Sequence, residues 1–600
     1  MAISFDQVPS TLRVPFVTAE FNSSRAQQGP ALLEYRSLII GQKTGEGTAS
    51  ANSLHKVTNV NQVIALAGRG SQLARMAAAY FAVNSFTETY VGVLDDDSSA
   101  AYASGTITVS GTASAAGTIY LYVGGKRKTV GVGSGDSAST IATAIATALG
   151  IHASGTVTFA SAASGDDVTV DGVEFVATNG AVTPGDATYD YSGSDSDTAT
   201  SFAAQVNAHA TTGESVRCIA NSDVVTIMAV QGGTAGNAIT LSTDDDITAA
   251  VSGAVLSGAG ADTDLSIHAS ADGAVVTTYA RNAGPQGNDC DIRENYQFGE
   301  ETPAGVTLTI VEPTGGTTAP SLTSLITAMG DTWFQVIAHP YSDGTSLTSL
   351  ETELADRAGP IRMIDGIAIG SAAGSYATLA ALGATRNSAY SCLVAQPGSS
   401  PLMMPSEFAS CVAGVVAYYA AIDPARPLQT LPLSGQLAPE LSDRFTISEV
   451  NNLLYTGIAT TSVGGGDSVQ IQRLITTYQT NAAGADDTAY LDASTVLTLL
   501  YLRYSWRTMI ANRCPRHKVA NDGTRFGSGQ AVVTPSIIKA ECYAWFRQME
   551  ELGLVESFDQ FKTDLVVERN ISNPNRIDVL LSPDLINQLV VTAGSIQFIL

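Results

Sequence analysis

Apolar residues alternate with other residues at both ends of the chain, and this period-two pattern is typical of a half-buried β-strand. The alternating apolar positions are Leu12, Val14 and Phe16 near the start, and Ile577, Val579, Leu581, Ile596, Phe598 and Leu600 near the end. An extended segment needs a sheet edge to pair with, so we predict that these segments add strands to neighbouring copies of the chain. The alternative is pairing within their own chain, as is usual for terminal strands. We assign residues 1–30 and 571–600 to two extended terminal β-arms.

Between the arms, short apolar runs alternate with segments of helical periodicity. Strands are predicted over residues 36–41, 89–94, 333–338, 366–370 and 390–395, and helices over residues 71–81, 347–358, 376–382 and 406–421. This alternation predicts an α/β core in which a mostly parallel sheet is covered by helices on both faces. We assign the core to residues 31–98 and 296–490. A helical region over residues 491–570 follows, with helices predicted at 494–511 and 535–552.

The composition changes at three consecutive aspartates, residues 95–97. From there to Asp264 the chain is rich in Ser, Thr, Gly and Ala, and it carries nineteen acidic residues. The basic residues of this stretch are Lys126, Arg127, Lys128 and Arg217. Its net charge of −15 is more than half of the −26 of the whole chain. We therefore predict an inserted, acidic, β-rich outer domain over residues 99–295, with a solvated surface that includes the aspartates at 95–97.

The outer domain contains a nested internal repeat. Residues 104–109 (SGTITV) resemble residues 154–159 (SGTVTF), whereas residues 275–288 resemble residues 224–237. The order start, start, end, end indicates one module inserted inside another of the same type. The tetrapeptide Ile-His-Ala-Ser occurs at 151–154 and again at 267–270, on either side of the inserted copy. We place the outer module at about 100–150 plus 265–295, and the inner module at about 154–261.

The bulk properties narrow the range of functions. A length of 600 residues predicts several domains, and a net charge of −26 argues against nucleic-acid binding. The first residues lack a basic segment followed by an apolar one, so we expect no secretion signal and a protein that stays in the cytoplasm. The longest apolar run, residues 411–422, is too short to span a bilayer, so no membrane insertion is expected. The six cysteines form no CxxC and are expected to be free and buried.

Candidate catalytic and cofactor motifs are weak. Gly344-Thr-Ser346 resembles the serine-nucleophile segment of subtilisin-like proteases, but His339 lies seven residues earlier at a strand end, and no Asp and His precede it in the matching contexts. We predict that Ser346 caps the following helix. Gly41-Gln-Lys-Thr44 lacks the spacing of a phosphate loop, and the six scattered histidines form no metal-binding pattern. No enzyme activity, cofactor or metal is expected.

Basic residues are concentrated in one short window of this acidic chain. Residues 503–525 contain a fifth of all its Lys and Arg but a single acid, Asp522. The basic residues are Arg503, Arg507, Arg513, Arg516, Lys518 and Arg525. One interpretation is a docking surface for an acidic protein partner. The other is a helix with a basic, solvated face.

Several segments resemble one protein family. They are residues 4–15, 29–41, 426–432 (RPLQTLP), 475–481 (ITTYQTN), 501–504 (YLRY), 515–518 (PRHK), 522–526 (DGTRF) and 573–581 (NPNRIDVLL). With them the chain resembles the tail sheath proteins of contractile-tail phages, specifically the Mu-like sheath family. The resemblance covers the two ends and the α/β core. The nested acidic modules are its variable part.

This resemblance implies a structural virion protein with a subtilisin-like but non-catalytic core. Copies of the chain would stack as hexameric rings around a tail tube, linked by their terminal arms, and would contract to drive the tube through the host envelope. The basic window would face the tube protein. Baseplate and tail terminator proteins would be further partners, and assembly would take place in the host cytoplasm. The alternatives are a non-contractile surface or adhesin-type protein, suggested by the Ser/Thr/Asp-rich modules, and a subtilisin-like hydrolase.

Overall fold

The computed structural model describes residues 33–230, 234–243, 249–258, 263–398, 401–527 and 529–599. The chain forms two compact units. One consists of Glu34–Leu500 with the residues from Gln588 onward, and the other contains Tyr501–Asn587. The alternating residues Leu12, Val14 and Phe16 of the predicted first arm lie outside the described residues, as does Leu600.

The first unit begins with the first part of its central sheet. Its elements are β1 (Arg36–Gln42), β2 (Ser53–Val57), α1 (Val60–Ala67), α2 (Gln72–Phe81) and β3 (Glu88–Leu94). β1 pairs in parallel with β3 along its whole length, and β2 is antiparallel to β3. The Leu38-Ile-Ile40 run of β1 is fully buried, as expected for a strand covered on both faces. The predicted strands and helix of this segment are confirmed to within about one residue.

The chain then enters the inserted region. The outer module begins with β4 (Ser104–Gly111), β5 (Gly117–Val123), β6 (Lys126–Val132) and α3 (Ala138–Leu149). The inner module follows with β7 (Ser154–Phe159), β8 (Asp167–Val170), β9 (Val173–Thr178), β10 (Thr188–Asp190), α4 (Asp195–Ala208), α5 (Thr212–Ser215), β11 (Val216–Asn221), β12 (Val224–Ala229), β13 (Leu241–Thr243) and β14 (Ala249–Val251). The outer module is completed by β15 (Ile267–Asp272), β16 (Val275–Ala280), β17 (Ile292–Glu294) and β18 (Val306–Thr314).

The two modules share one topology. The outer module has a sheet in the order β15-β16-β4-β18, and the inner module has the matching order β11-β12-β7-β14. Each has a second sheet, β17-β5-β6 in the outer module and β10-β9-β8-β13 in the inner one. Each encloses its own hydrophobic cluster beneath one helix, α3 or α4. The outer sheet runs to Thr314, beyond the predicted boundary at residue 295, because β18 pairs with β4.

The inner helix starts earlier than the sequence pattern indicated. The apolar spacing of the inner module predicts a helix over residues 200–209, whereas α4 begins at Asp195. The side chain of Ser194 accepts a hydrogen bond from the Asp197 amide, and the Asp197 carboxylate accepts one from the Ser194 amide. This reciprocal capping box adds a first turn made of polar residues, which hydrophobic periodicity does not detect.

A carboxylate fixes the inserted region to the central sheet. The predicted solvated turn at residues 95–97 is wrong for Asp96, which is partly buried. Its carboxylate accepts hydrogen bonds from Gln42 Nε2 (2.7 Å), Tyr102 Oη (3.0 Å), Asn282 Nδ2 (3.1 Å) and the Ala283 amide (2.7 Å). Burial raises the pKa of Asp96, while the hydrogen bonds from Ala283, Asn282 and Tyr102 act in the opposite direction. One side chain thus joins β1 to both the exit and the return of the insertion.

The repeated Ile-His-Ala-Ser tetrapeptides meet where the inner module joins the outer one. Ile151 forms a parallel bridge with Ala269. The rings of His152 and His268 are stacked, with centroids 4.3 Å apart and planes 9° apart, and both residues are buried. Burial lowers the pKa of His268 well below its usual value, and the neighbouring His152 and Arg281 lower it further.

The second part of the core completes the central sheet. Its elements are α6 (Thr323–Met329), β19 (Val336–Ala338), α7 (Gly344–Arg357), β20 (Ile367–Gly374), α8 (Tyr376–Ala384), β21 (Ser391–Pro397), α9 (Pro405–Ile422), α10 (Ile447–Tyr455), β22 (Ile458–Val463) and β23 (Val469–Arg473). The eight strands lie in the order β2-β3-β1-β19-β20-β21-β22-β23. The six inner strands are parallel and the two outermost strands are antiparallel to their neighbours. The prediction of a mixed, multi-domain α/β fold with a mostly parallel sheet is confirmed.

Helix α9 is a core helix despite its apolar composition. By length and hydropathy its 18 residues are sufficient to cross a membrane, which corrects the sequence estimate of a shorter run, but 78% of them are buried inside the protein. Gly414 allows it to lie close to α2, because a Cβ there would be 3.2 Å from the carbonyl oxygen of Tyr80 in α2. Asn84 donates a hydrogen bond to the Gly414 carbonyl (3.0 Å), which fixes this crossing. The apolar surface of α9 therefore packs within the protein.

The unit Tyr501–Asn587 is built around two helices. Helix α11 (Ala493–Arg513) ends in this unit, and the following elements are β24 (Lys518–Val519), β25 (Val532–Val533), α12 (Pro535–Glu551), β26 (Val555–Glu556), α13 (Phe558–Asp564), β27 (Val566–Arg569), β28 (Ile577–Leu580) and β29 (Asp584–Leu585). Trp545 on the buried face of α12 donates its indole N–H to Ser505 Oγ of α11 (2.9 Å). Both helices lie where the sequence predicted them.

We predict that deletion of residues 155–270 gives a soluble protein with a native core. The deletion rejoins the chain as one Ile-His-Ala-Ser followed by Ala271, so residues 151–154 replace residues 267–270 in the outer sheet. The inner module is lost with nearly all of its own hydrophobic cluster, and Leu265 is the one buried outer-core residue that is removed without a replacement. The remaining protein should melt within about 5 °C of the wild type in circular dichroism. A deletion of equal length over residues 163–278 is the control and should not fold, because it removes the buried Val276 from the outer core. Equal behaviour of both variants would contradict the prediction.

We also predict that acid weakens the junction between the two modules. The folded protein keeps His268 neutral, whereas the unfolded chain takes up a proton below about pH 6.5, so stability present above that pH is lost as the pH falls. The slope approaches about 1.4 kcal/mol per pH unit for one histidine. The hydrogen-exchange protection factors of the β15 amides, corrected for the intrinsic exchange rate at each pH, should fall between pH 7 and pH 5. His268→Phe should flatten this pH dependence, and an unchanged slope in that variant would contradict the assignment.

Candidate functional site

The last described residues form an exposed apolar segment. From Ile586 to Ile599 the chain forms no helix or strand, so residues 595–599 of the strand predicted over residues 595–600 have no strand partner among the described residues of the single chain. Ile596 is 94% exposed and Phe598 is 79% exposed. The other exposed apolar side chains are Ile586, Leu589, Val591 and Ile599. Water contact with so many apolar side chains in succession is typical of a surface that another molecule covers.

One hydrogen bond ties this segment to the first unit. Gln429 Nε2 donates to the Leu589 carbonyl (3.1 Å). The residues that follow Gln429 lie along the outer edge of β23, where Thr430 donates to the Ile471 carbonyl and Leu433 to the Val469 carbonyl. The beginning of the segment is thus held beside the edge of the central sheet, and its apolar end extends beyond that contact.

The second alternating stretch forms a hairpin within its own chain. β28 is antiparallel to β27, with Ile577 opposite Arg569 and Val579 opposite Val567. Leu581 lies outside the strand, which ends at Leu580. The prediction of a strand over these residues is confirmed, but one of its two edges is paired internally. Among the described residues this sheet has only two strands, so each strand has a second edge without a strand partner there.

The basic residues are divided between two environments in the unit Tyr501–Asn587. Arg503 and Arg507 are half-buried on α11. Arg513 at the end of that helix is exposed, with its Nε 3.6 Å from the Glu541 carboxylate. Further along the chain Arg516, Lys518 and Arg525 are exposed. The last four of the six residues are therefore exposed, and we refer to these four as the α11 basic surface.

The one acid of this window is engaged by the next helix. The Asp522 carboxylate accepts hydrogen bonds from the Ser536 hydroxyl (2.6 Å) and the Ser536 amide (3.0 Å) at the start of α12. These hydrogen bonds hold the pKa of Asp522 below its usual range, so it stays ionised. Lys518 Nζ donates to the neutral side chain of Gln530 (3.1 Å). Most of the positive charge of the α11 basic surface is thus available to a partner.

The serine that resembles a protease nucleophile has a structural position. The prediction that Ser346 caps α7 is wrong, because Asp343 is the cap and its Oδ1 accepts a hydrogen bond from the Ser346 amide (2.9 Å). Ser346 lies in the first turn and is 6% exposed. His339 is buried against Gly370, where a Cβ would be 2.4 Å from the ring, and burial lowers its pKa to about 4. These positions are those of core residues rather than of a nucleophile and base open to substrate.

The metal-ligating residue types are dispersed or buried. In the part of the chain that the structure describes, no three His, Cys, Asp or Glu side chains form a cluster fit to hold a metal ion. Five of the six cysteines are free and buried as predicted, and Cys514 is free but only half-buried. Burial raises the pKa of Cys392 to about 12, so that thiol stays protonated.

Comparison with known proteins identifies a family. The family model described as the phage tail sheath protein central domain matches residues 315–477, and that of the phage tail sheath C-terminal domain matches residues 485–599. The Mu-like prophage FluMu tail sheath protein of Haemophilus influenzae is 34% identical over 601 residues, covering 100% of both chains. The prediction of a Mu-like sheath protein is confirmed by this full-length match.

Solved structures were also compared. A sheath tail protein from Desulfitobacterium hafniense aligns with a TM-score of 0.41 and 11% identity, over 96% of this chain and 97% of that one. One from Listeria innocua aligns with a TM-score of 0.40 and 12% identity, over 93% of each chain. The full-length relative and the two family models establish the family. The chain belongs to the phage tail sheath protein family, and it is a structural subunit of a contractile phage tail sheath, a component of the virion.

Proposed function

We propose that copies of this chain stack as hexameric rings around a tail tube and contract as a mesh held together by their terminal arms. The observation that carries this proposal is the apolar segment from Ile586 to Ile599, which forms no strand and is exposed from Val591 to Ile599. Burying each large apolar side chain contributes roughly 1.5–3 kcal/mol, and strand addition also provides main-chain hydrogen bonds. Burial of this segment between subunits would therefore stabilise an assembly.

The β27–β28 hairpin is the receiver that we propose for such arms. It is a two-stranded sheet whose outer edges have no strand partner among the described residues. Val566 and Leu580 on its two strands are exposed. A two-stranded sheet alone is marginal in water, and added strands would stabilise it. Each subunit would then donate an arm to one neighbour and receive arms from others, which produces an open helical lattice rather than a closed pair.

The tail tube protein is the partner that we propose for the α11 basic surface. Its exposed cations contrast with a chain of net charge −26. Charge of opposite sign on the tube would position the sheath through many weak contacts, each worth at most about 1 kcal/mol when exposed. Baseplate and tail terminator proteins would cap the two ends of the sheath, and assembly would occur in the host cytoplasm.

Contraction would then be a change of packing between cores while the arm strands stay paired. We propose that the extended sheath is metastable and held by a barrier. The contracted packing would bury more surface between cores, at about 25 cal/mol per Å² of apolar area, summed over every subunit. The parallel sheet with helices on both faces fits the subtilisin-like core implied by the family resemblance. The buried positions of Ser346 and His339 support a non-enzymatic role for that core.

Truncation after Gly594 should give a folded protein that cannot polymerise. The removed residues include Ile596 and Phe598, which are exposed in the single chain, so helix content and melting temperature should stay at wild-type values. Electron microscopy should show no tubes. The matched control, Ile596→Val with Phe598→Tyr in the full-length chain, keeps the alternating pattern and should still form tubes. Tubes formed by the truncated protein would contradict the role of the arm, and unfolding of the truncated protein would show that the strand belongs to its own core.

Charge reversal of the α11 basic surface should weaken assembly on tubes. We expect Arg513→Glu, Arg516→Glu and Lys518→Glu together to reduce tube-templated assembly, most strongly at low salt, because screening at high salt removes most of the wild-type advantage. The control reverses three exposed cations elsewhere, Lys56, Arg69 and Lys562, and so changes net charge equally. Co-sedimentation with purified tubes at two ionic strengths measures the effect. Equal assembly of the folded triple variant and the wild type would reject the tube contact.

A further inference from the structure

The two nested modules differ at one sheet edge. In the inner module, β10 covers the edge of β9, with Thr188, Tyr189 and Asp190 in parallel register with Val176, Ala177 and Thr178. In the outer module, the corresponding strand β6 ends its sheet, and the described residues provide no strand beside it. In the inner module β10 therefore occupies this sheet edge, whereas in the outer module the equivalent edge, that of β6, is open among the described residues.

The open edge coincides with a groove of about 630 Å³ between β6 and α3. Its lining residues are Thr129, Val130 and Gly131 of β6 and Thr140, Thr143, Ala144, Thr147 and Ala148 of α3. β6 and β9 each follow a two-residue hairpin turn, and counted from that turn the three β6 residues are the equivalents of Val176, Ala177 and Thr178. These are the residues that pair with β10. The groove thus lies where the extra strand lies in the inner module.

The residues of α3 that line the groove also have equivalents in α4 of the inner module. α3 and α4 are capped by Ser137 and Ser194, and counted from these caps Ala144 and Ala148 are the equivalents of Ser201 and Gln205. In the inner module Ser201 Oγ accepts a hydrogen bond from the Asp190 amide (2.9 Å). Gln205 Oε1 accepts one from the Gly185 amide (3.1 Å). The outer module has two alanines at these places, which leave room beside the strand edge.

The strand edge itself offers matching hydrogen-bonding groups. The Val176 amide donates to the Ala187 carbonyl, and the Tyr191 amide donates to the Thr178 carbonyl, both at 3.1 Å. The Thr129 amide and the Gly131 carbonyl occupy the equivalent places in β6. An exposed edge of this kind is a ready template for another strand.

The chain cannot fill this groove with its own β6–α3 connection. Between Val132 and the cap Ser137 there are four residues, whereas fifteen residues join β9 to its cap in the inner module. The four-residue connection is closed on itself by hydrogen bonds from the Gly133 amide to Asp136 Oδ2 (2.6 Å) and from the Asp136 amide to the Gly133 carbonyl (3.2 Å). A strand beside β6 must therefore come from elsewhere.

Charge indicates the chemistry of the occupant. β6 begins with Lys126, Arg127 and Lys128, three of the four basic residues in the acidic region. Arg127 is paired with Glu300 (2.7 Å), and Lys126 donates to the Asp264 carbonyl (2.9 Å), whereas Lys128 is half-exposed and stands where the inner module has the buried Phe175. The strand that fills the inner groove is itself acidic, with Asp186 and Asp190 beside the buried Tyr189.

We propose that the groove between β6 and α3 binds an extended acidic segment of a different protein, which adds to β6 as a parallel strand with its main chain beside Ala144 and Ala148, as β10 lies beside Ser201 and Gln205. The mode is strand addition, in which main-chain hydrogen bonds provide affinity and alternate side chains provide specificity. The occupant resembles β10 in backbone direction, charge and central aromatic residue. This inference does not depend on the proposed contraction, because it rests on the comparison of the two modules.

A fluorescent peptide with the sequence of residues 186–192 of this chain, DATYDYS, is the probe. Fluorescence anisotropy with the full-length protein should show saturable binding at peptide concentrations up to about 1 mM. Ala144→Trp fills the groove and should weaken binding at least about tenfold. Lys128→Glu adds no bulk and should weaken it as well. Ala115→Trp, the same change at an exposed turn residue outside the groove, should bind like the wild type. A peptide carrying Ser in place of Tyr189 should bind at least about tenfold more weakly.

Three results would overturn the proposal. The first is no binding to the wild-type protein at the highest peptide concentration. The second is equal binding to the wild type, Ala144→Trp and Lys128→Glu, because the peptide would then occupy another site such as the inner module. The third is a loss of self-association on Ala144→Trp in sedimentation velocity, because the occupant would then be a second copy of this chain rather than a different protein.

Discussion

The parallel pairing of β1 with β3 on one side and β19 on the other is the constraint on which the rest of the first unit depends. The chain leaves the core after β3 and returns to it before β19, the two strands that flank β1, so both modules are attached at one part of the sheet. The Asp96 carboxylate secures this point by accepting hydrogen bonds from β1 and from both ends of the insertion. A buried pair between Arg75 and Glu407 (2.8 Å), with Lys126 of the outer module 3.7 Å from the same carboxylate, adds a second anchor. Removing one member of such a pair would leave a buried charge uncompensated, so this ion pair also fixes the position of α2, which carries Arg75, relative to α9, which carries Glu407.

The division of the chain into an α/β core and an acidic insertion matches the division of its surfaces. The family models match residues 315–477 and 485–599, which lie outside the nested modules. The arm, the hairpin and the α11 basic surface all lie in or beside these matched parts. The inserted region instead carries most of the negative charge, and charge of one sign keeps large assemblies from adhering to one another. In the proposed assembly, contacts between subunits and colloidal stability thus depend on different parts of the same subunit.

Much of the fold could be predicted from sequence because it depends on local pattern. Continuous apolar runs gave β1, β3 and β20, helical periodicity gave α2, α7 and α9, and the repeated tetrapeptide located the junction of the two modules. The misses come from tertiary context. The sequence predicts a solvated turn at Asp96 because the groups that donate hydrogen bonds to its carboxylate are distant in sequence. Asp343 and Ser346 are both good cap residues and lie three positions apart, and only the structure shows that Asp343 caps α7. β10 has only three residues, and its pairing with β9 depends on a long connection rather than on periodicity.

The candidate site was predictable in its residues but not in its arrangement. Alternation at the end of the chain identified Ile577, Val579, Ile596 and Phe598, yet period two alone does not distinguish a strand paired within the chain from one without a partner. The structure separates them, because the first two lie in a hairpin and the last two are exposed. In the same way, a count of charges identified the basic window, but only the structure divides it between half-buried residues on α11 and exposed ones beyond it.

Nesting one module inside another affects how the chain reaches this fold. β4 and β16 are neighbours in the outer sheet, yet the whole inner module lies between them in sequence, and closing so long a flexible loop carries an entropic cost. Once the inner module has folded, the bridge between Ser154 and Ser257 brings its two ends together. The outer module must then close only a short flexible loop, at a lower entropic cost, because the folded inner module no longer contributes flexible chain. The inner copy is also complete in sequence before β15 and β16 leave the ribosome, so the order of synthesis favours folding from the inside outward.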